Sequence, residues 1–226
     1  MPDETIMQAR QSGRHILFED ESKSLVATAG IPVNESHTAA TEKEALELAA
    51  HIGYPVVLKV RSESFSHKSD IGGVRLNLSG PKAVRRAFGE IMERARREDP
   101  RASVTVQSMA EQGIEVIIGA SEDPHFGPVI MFGMGGVFTE ILDDRCFRLI
   151  PVDKPEAAAM VHSLRGSRLL AGYRNSPPAA LEKLTDILTR VSQLMQKYPE
   201  ILELDLNPVA VYPWGALVLD ARVKLK

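Results

Sequence analysis

Cysteine is almost missing from this chain. Cys146 is the only one in 226 residues, so no disulfide can close within the chain, and a lone thiol between Arg145 and Phe147 reads as packing rather than as a nucleophile. Charge of one sign is missing too: the formal net charge is −3, too small to draw the chain to nucleic acid or anionic lipid. Its one basic cluster, Arg94, Arg96 and Arg97, is diluted by Glu93, Glu98 and Asp99 and reads as a solvated helix face. No apolar run approaches the roughly 20 residues of a membrane span. The opening MPDETIMQARQSGR has no apolar core of a signal peptide, so a cytoplasmic protein is expected. Two phosphate-binding fingerprints are absent. There is no G-x-x-x-x-G-K-[ST], and Gly133-x-Gly135 has Phe138 where a dinucleotide fold needs its third glycine.

What is present suits a globular core, since 44% of the residues are hydrophobic. Leu25, Val26 and Ala29 recur at helical spacing over 19–29 and stop at Gly30. Thr41 and Glu44 form a capping box ahead of the stripe Ala45, Leu48, Ala49, Ile52. Pro81 opens a helix with Val84, Phe88, Ile91 and Ala95 inward. Shorter and longer helices are expected over 157–164 and from a Ser176-Pro177 cap through Leu194. Strands are expected at 55–60, 74–78, 103–107, 114–120, 128–132, 137–142, 202–206 and 216–223. The pairs 55–60/74–78 and 128–132/137–142 each flank a flexible polar turn, the second of them the Gly133-Met134-Gly135-Gly136 cluster.

Three features carry chemistry. Lys59 lies within the buried-strand pattern Pro55–Val60, where an ammonium either snorkels out or faces an anion. Ser66-His67-Lys68-Ser69-Asp70-Ile71-Gly72-Gly73-Val74 gathers backbone donors, a cation and an imidazole in one loop, which is a solvated turn or a cradle for polyphosphate oxygens. Near the C-terminus Leu202, Leu204 and Leu206 share one strand face, so Glu203, Asp205 and Asn207 share the other. With Asp220 they make an oxygen-only set that suits Mg²⁺ and not zinc or copper.

The ordered set Val57-Leu-Lys-Val60, HKSDIGGV (67–74), FGMGG (132–136), ELDLNP (203–208) and LDAR (219–222) resembles the ATP-grasp β subunit of ADP-forming acyl-CoA synthetases, the acetate:CoA ligases related to succinyl-CoA synthetase. HKSDxGGV is the specific element. The resemblance runs from about residue 15 to the C-terminus and implies an α+β ATP-grasp fold of two subdomains, divided here as 1–109, with the leading helices, and 110–226, with the metal site.

It further implies that Lys59, Ser69, Gly72 and Gly73 meet the phosphates of ATP or ADP and that Gln107, Ser108 and Met109 meet adenine with backbone groups. Glu115 would lie near the nucleotide, and Asn207 and Asp220 would hold Mg²⁺. His67 would relay phosphate to and from a CoA-binding α subunit that carries the primary phosphohistidine, in an α2β2 assembly. The implied reaction is acyl-CoA + ADP + phosphate ⇌ carboxylate + CoA + ATP. Two other classes stay open at this point: an ATP-binding regulatory or scaffold protein, and a stand-alone carboxylate–amine ligase of the same fold.

Overall fold

The computed structural model describes residues 2–64, 72–136, 143–173 and 177–226. It divides into two compact units, Asn34–Glu111 and, as the larger, Met1–Val33 together with Gln112–Lys226. The leading helices thus belong with the C-terminal half, contrary to the division at residue 109. The reason is an edge strand that needs partners: Leu17 donates its N–H to the Val223 carbonyl at 3.0 Å and Leu225 donates to His15 at 2.7 Å. Leu25, Val26 and Ile31 enter the same apolar core as Val223 and Leu225.

The smaller unit is a four-stranded antiparallel sheet covered on one face by two helices. Its strands β1 (Ser36–Ala39), β2 (Val56–Arg61), β3 (Val74–Leu78) and β4 (Ser103–Ser108) stand in the order β1-β4-β2-β3. The helices are α3 (Glu42–Ile52) and α4 (Pro81–Glu98). Val84, Phe88, Ile91 and Ala95 are spaced by four, three and four, so they form one stripe of α4. That stripe packs with Ala45 and Ala49 on Val56, Leu58, Val60, Val104 and Val106. The alternate residues of β2 and β4, among them Lys59, Thr105 and Gln107, must then stand on the other face of the sheet.

The larger unit is a six-stranded antiparallel sheet in the order β10-β8-β5-β6-β7, with β9 on the far half of β8. Its strands are β5 (Ile114–Asp123), β6 (Gly127–Met134), β7 (Arg145–Leu149), β8 (Ile201–Tyr212), β9 (Gly215–Val218) and β10 (Ala221–Leu225). The helices are α1 (Pro2–Gln11), α2 (Glu19–Thr28), α5 (Lys154–Ser163), α6 (Ser167–Leu170) and α7 (Leu181–Lys197). Leu184, Ile187, Leu188, Val191 and Leu194 of α7 bury against Ile118, Ile130, Phe132, Leu204 and Leu206. Among the described residues no helix is long and apolar enough to cross a membrane.

Several expectations shift. The helix expected from a Ser176-Pro177 cap begins at Leu181, with Ala180 as its uncapped first neighbour; Ser176 and the strand expected over 137–142 lie outside the described residues. Helix α1 and strands β1 and β7 had no sequence expectation. Strand 216–223 is two strands, because β8 runs on through Pro208 and pairs with β9 along Val209–Tyr212 and with β10 along Ile201–Leu206. Cys146 packs beside the core and points its Sγ to the Met160 carbonyl at 3.5 Å.

The capping box is present: Thr41 Oγ1 accepts from the Glu44 N–H at 3.2 Å, and Glu44 Oε2 accepts from the N–H groups of Ala40 and Thr41 at 2.8 and 3.1 Å. These backbone donors, Ala40 first, hold the Glu44 carboxyl below the usual carboxylate range. Thr41→Ala leaves orphan N–H groups at the start of α3 and is expected to lower stability by about 1 kcal/mol. Urea titration of the two proteins by circular dichroism checks this; identical midpoints would deny the cap any role.

Candidate functional site

In the smaller unit the polar face is built around Lys59. It is 8% exposed although it carries an ammonium, and its register partners are Thr105 on β4 and Val74 on β3. Beside it Gln107 Nε2 donates to Thr105 Oγ1 at 3.0 Å, and Asn34 Nδ2 donates to Gln107 Oε1 at 3.4 Å. All four residues are buried. An ammonium so placed is retained only where anionic or dipolar oxygens repay its desolvation.

Gly72 and Gly73 lead directly into β3. Gly72 has φ +63°, a left-handed conformation that glycine adopts without strain. Val60 of β2 donates its N–H to the Gly73 carbonyl at 2.7 Å, which ties this glycine to the strand of Lys59. His67 and Ser69 lie in 65–71, outside the described residues.

The linker residues expected to meet adenine are already engaged. Gln107 is paired in β4 on both sides, with Val57 and with Ser36. Ser108 N–H donates to the Glu35 carbonyl at 3.1 Å, its carbonyl accepts from Asn34 Nδ2 at 3.2 Å, and Met109 N–H donates to Pro55 at 3.3 Å. With those donors spent, what the linker has left to offer is carbonyl oxygens, each of which can take a second hydrogen bond.

In the larger unit the break between β9 and β10 does the assembling. Asn207 donates its backbone N–H to the Asp220 carbonyl at 3.2 Å, and Leu219 donates to Pro208 at 3.0 Å. The interruption therefore sets Asp220 beside Asn207. Asp205, two residues back on the same strand face, stands in register between Gly119 of β5 and Arg222 of β10. Burial, first, and then the charges of Asp220 and Glu203 push its carboxyl up, with Arg222 opposing. Gly119 has no side chain to fill the space, and a cavity of about 250 Å³ opens over Asp205, Glu203, Arg145 and Phe147.

Three oxygen-bearing side chains, one of them a carboxylate short of positive charge, fit a hard divalent cation. Among the described residues no group of three or more His, Cys, Asp or Glu side chains could hold a metal ion by itself.

Glu115 lies farther along β5, in register with Ala210. Two glycines of the cluster serve close packing, and Gly136, at φ +62°, takes up the turn expected there. Gly133 is still within β6, paired with Arg145. Gly135 donates its N–H to the Glu115 carbonyl at 2.7 Å, and a Cβ there would come within 2.8 Å of the Glu115 backbone. Asp205 and Thr105 were legible from strand alternation. Arg75 and Arg94, whose guanidinium groups lie beside Gly72, left no signal of their own, and Arg94 is exposed as Arg96 and Arg97 are.

Comparison with known proteins shows the family. The ATP-grasp domain profile matches residues 8–225. The chain belongs to the ATP-grasp family. It is 42% identical to the β subunit of acetate–CoA ligase [ADP-forming] I of Pyrococcus furiosus, over 98% of this chain and 97% of that one. It is also 42% identical to acetate–CoA ligase [ADP-forming] I of Archaeoglobus fulgidus, there covering only 33% of a longer chain. The acetyl-coenzyme A synthetase 1 of Ca. Korarchaeum cryptofilum, solved with coenzyme A and Ca-AMPCP, superposes with a TM-score of 0.95 at 41% identity over all of both chains. Another structure of that enzyme holds Mg-AMPPCP, with its phosphohistidine segment pointing towards the nucleotide binding site. Within the ATP-grasp family, then, the chain belongs with the β subunits of ADP-forming acyl-CoA synthetases, which are acid–thiol ligases.

The crowding of Asp205 by Asp220 and Glu203 generates a prediction. A carboxyl held above its unfolded value costs stability at every pH above the usual carboxylate range, and the cost disappears as pH falls and the proton binds in both states. Asp205→Asn should raise the melting temperature of the ligand-free chain at neutral pH, and the gain should fade on acidification. The further rise on adding magnesium and nucleotide should shrink. Differential scanning calorimetry at several pH values tests both signs; a ligand-free destabilisation at neutral pH would contradict the crowding.

Proposed function

We propose that this chain is the nucleotide-handling half of the ligase, binding Mg·ADP and Mg·ATP and moving phosphate between the nucleotide and an α subunit. The observation that carries this reading is the meeting of Asn207 and Asp220, with Asp205 beside them, at the break between β9 and β10. In this assignment Asn207 and Asp220 hold Mg²⁺, with Asp205 adding negative charge. The ion, when bound, neutralises phosphate charge and orients the oxygens.

Lys59 contributes a charge-assisted contact to phosphate, and the N–H groups of Ser69, Gly72 and Gly73 contribute neutral donors. Gln107, Ser108 and Met109 line the purine through carbonyl oxygens, and Glu115, backed by Gly135, lies close to the nucleotide. His67 takes the phosphoryl group from the partner's phosphohistidine: the P–N bond to the donor breaks, a P–N bond to His67 forms, and an oxygen of ADP then displaces His67 to give ATP. The Archaeoglobus relative, three times as long, is consistent with an α part supplying the CoA and acyl sites. We assign the assembly as α2β2 and place it in the cytoplasm, where its ADP and ATP are.

Lys59→Met keeps the apolar stem and removes one charge-assisted hydrogen bond, which is worth about 1.5–3 kcal/mol. Affinity for Mg·ATP should fall at least about tenfold. Isothermal titration with the variant's fold verified by circular dichroism is the measurement, and unchanged affinity would remove Lys59 from the site.

His67→Ala should bind Mg·ADP nearly as the wild type does, yet form no ATP when mixed with partner, acyl-CoA and phosphate. In the wild-type complex, labelled ATP followed by an alkaline quench and peptide mapping should place the label on the peptide containing His67. Normal turnover by His67→Ala would reassign the relay.

A further inference from the structure

Gly73 sits between two peptide groups that are both pinned. On its C-terminal side its own carbonyl accepts the Val60 N–H at 2.7 Å. On its N-terminal side the Gly72 carbonyl accepts from Arg75 Nη1, which also donates to the Val74 carbonyl at 3.1 Å. Arg75 is held in turn: its Nε and Nη2 both donate to Glu90 Oε2 at 3.3 Å, and Arg86 Nε holds Glu90 Oε1 at 2.9 Å. Glu90 belongs to α4, so the guanidinium reaches Gly72 from the helix-covered side of the sheet. A planar trans peptide points its N–H opposite to its carbonyl. With the Gly72 carbonyl turned to Arg75, the Gly73 N–H is turned away from the helices.

Gly72 is the residue at which this arrangement has least freedom. Its φ is +63°, and a Cβ there would stand 2.8 Å from Arg94 Nη1 and 3.3 Å from Arg75 Nη1. Any side chain would therefore displace the guanidinium groups that hold the peptide. A Lys at 75 could satisfy Glu90 or the Gly72 carbonyl, but a single ammonium lacks the fork that reaches both.

We propose that Arg75, braced by Glu90, is a positioning residue that fixes the orientation of the Gly73 N–H toward the phosphate being transferred. The proposal rests on the assignment of Gly72 and Gly73 to the phosphates. A fixed N–H costs no reorganisation when charge develops on the transferring group, whereas a free peptide must be turned at that moment. Arg75 itself touches no substrate in this scheme.

The test uses the complete complex with its partner, assayed for ATP formation from acyl-CoA, ADP and phosphate. Arg75→Gln should lower kcat by about tenfold to a hundredfold, the scale of a misplaced catalytic group, while KM for ADP stays within about twofold. Glu90→Gln, a change at a half-exposed position that leaves Arg75 in place but loosened, should show a smaller loss of kcat with the same unchanged KM. Arg75→Lys should fall between Arg75→Gln and the wild type. Melting temperatures without nucleotide should match the wild type for all three. Unchanged kcat in Arg75→Gln, or a loss matched by falling melting temperature in every variant, overturns the positioning role. Lys59→Met run in parallel separates the two levels: if it is impaired while Arg75→Gln is not, only this proposal fails, and if neither is impaired the phosphate assignment fails with it.

Discussion

A strand that buries every second side chain under helices must deliver the others to the opposite face, and both units of this protein depend on that constraint. In the smaller unit it puts Val56, Leu58 and Val60 under α3 and α4 and leaves Lys59 on the other side with Thr105 and Gln107. In the larger unit it puts Leu204 and Leu206 under α7 and leaves Glu203, Asp205 and Asn207 facing away. The apolar half of each strand is what places the polar half. Each face then carries an ionisable group largely out of water, since Lys59 is 8% exposed and the Asp205 carboxyl is pushed up by burial and by its acidic neighbours.

Around these faces the backbone is set by interruptions rather than by regular structure. The break at Leu219 and Asp220 exists because β8 continues past Pro208 and must be paired by two shorter strands in succession. At that junction Asp220 arrives next to Asn207. Gly135 permits a second close approach, of the chain after β6 to the backbone of Glu115. Gly72 permits a third, at the end of the loop that carries His67, where two arginines crowd its α-carbon. At Gly135 glycine is a packing requirement, since a Cβ would meet the Glu115 backbone, and at Gly72 the positive φ favours it.

The family and the α+β class were legible in the amino-acid sequence. Alternation identified β8 and its polar face, the capping box identified the start of α3, and HKSDIGGV with ELDLNP pointed to the ligase family that the comparisons show. Such signals are local, because strand parity, helix periodicity and motif spacing are written within a few consecutive residues. Tertiary structure alone decided what depends on partners far away in the chain. It moved residues 1–33 onto the C-terminal unit through the edge of β10, split 216–223 into two strands, and spent the Ser108 and Met109 N–H groups on Glu35 and Pro55. It also brought Arg75 and Glu90, 15 positions apart, together over the carbonyl of Gly72. An arginine on a strand and a glutamate on a helix look alike in a sequence whether they meet solvent or each other, and only the packing of α4 on β3 settles which.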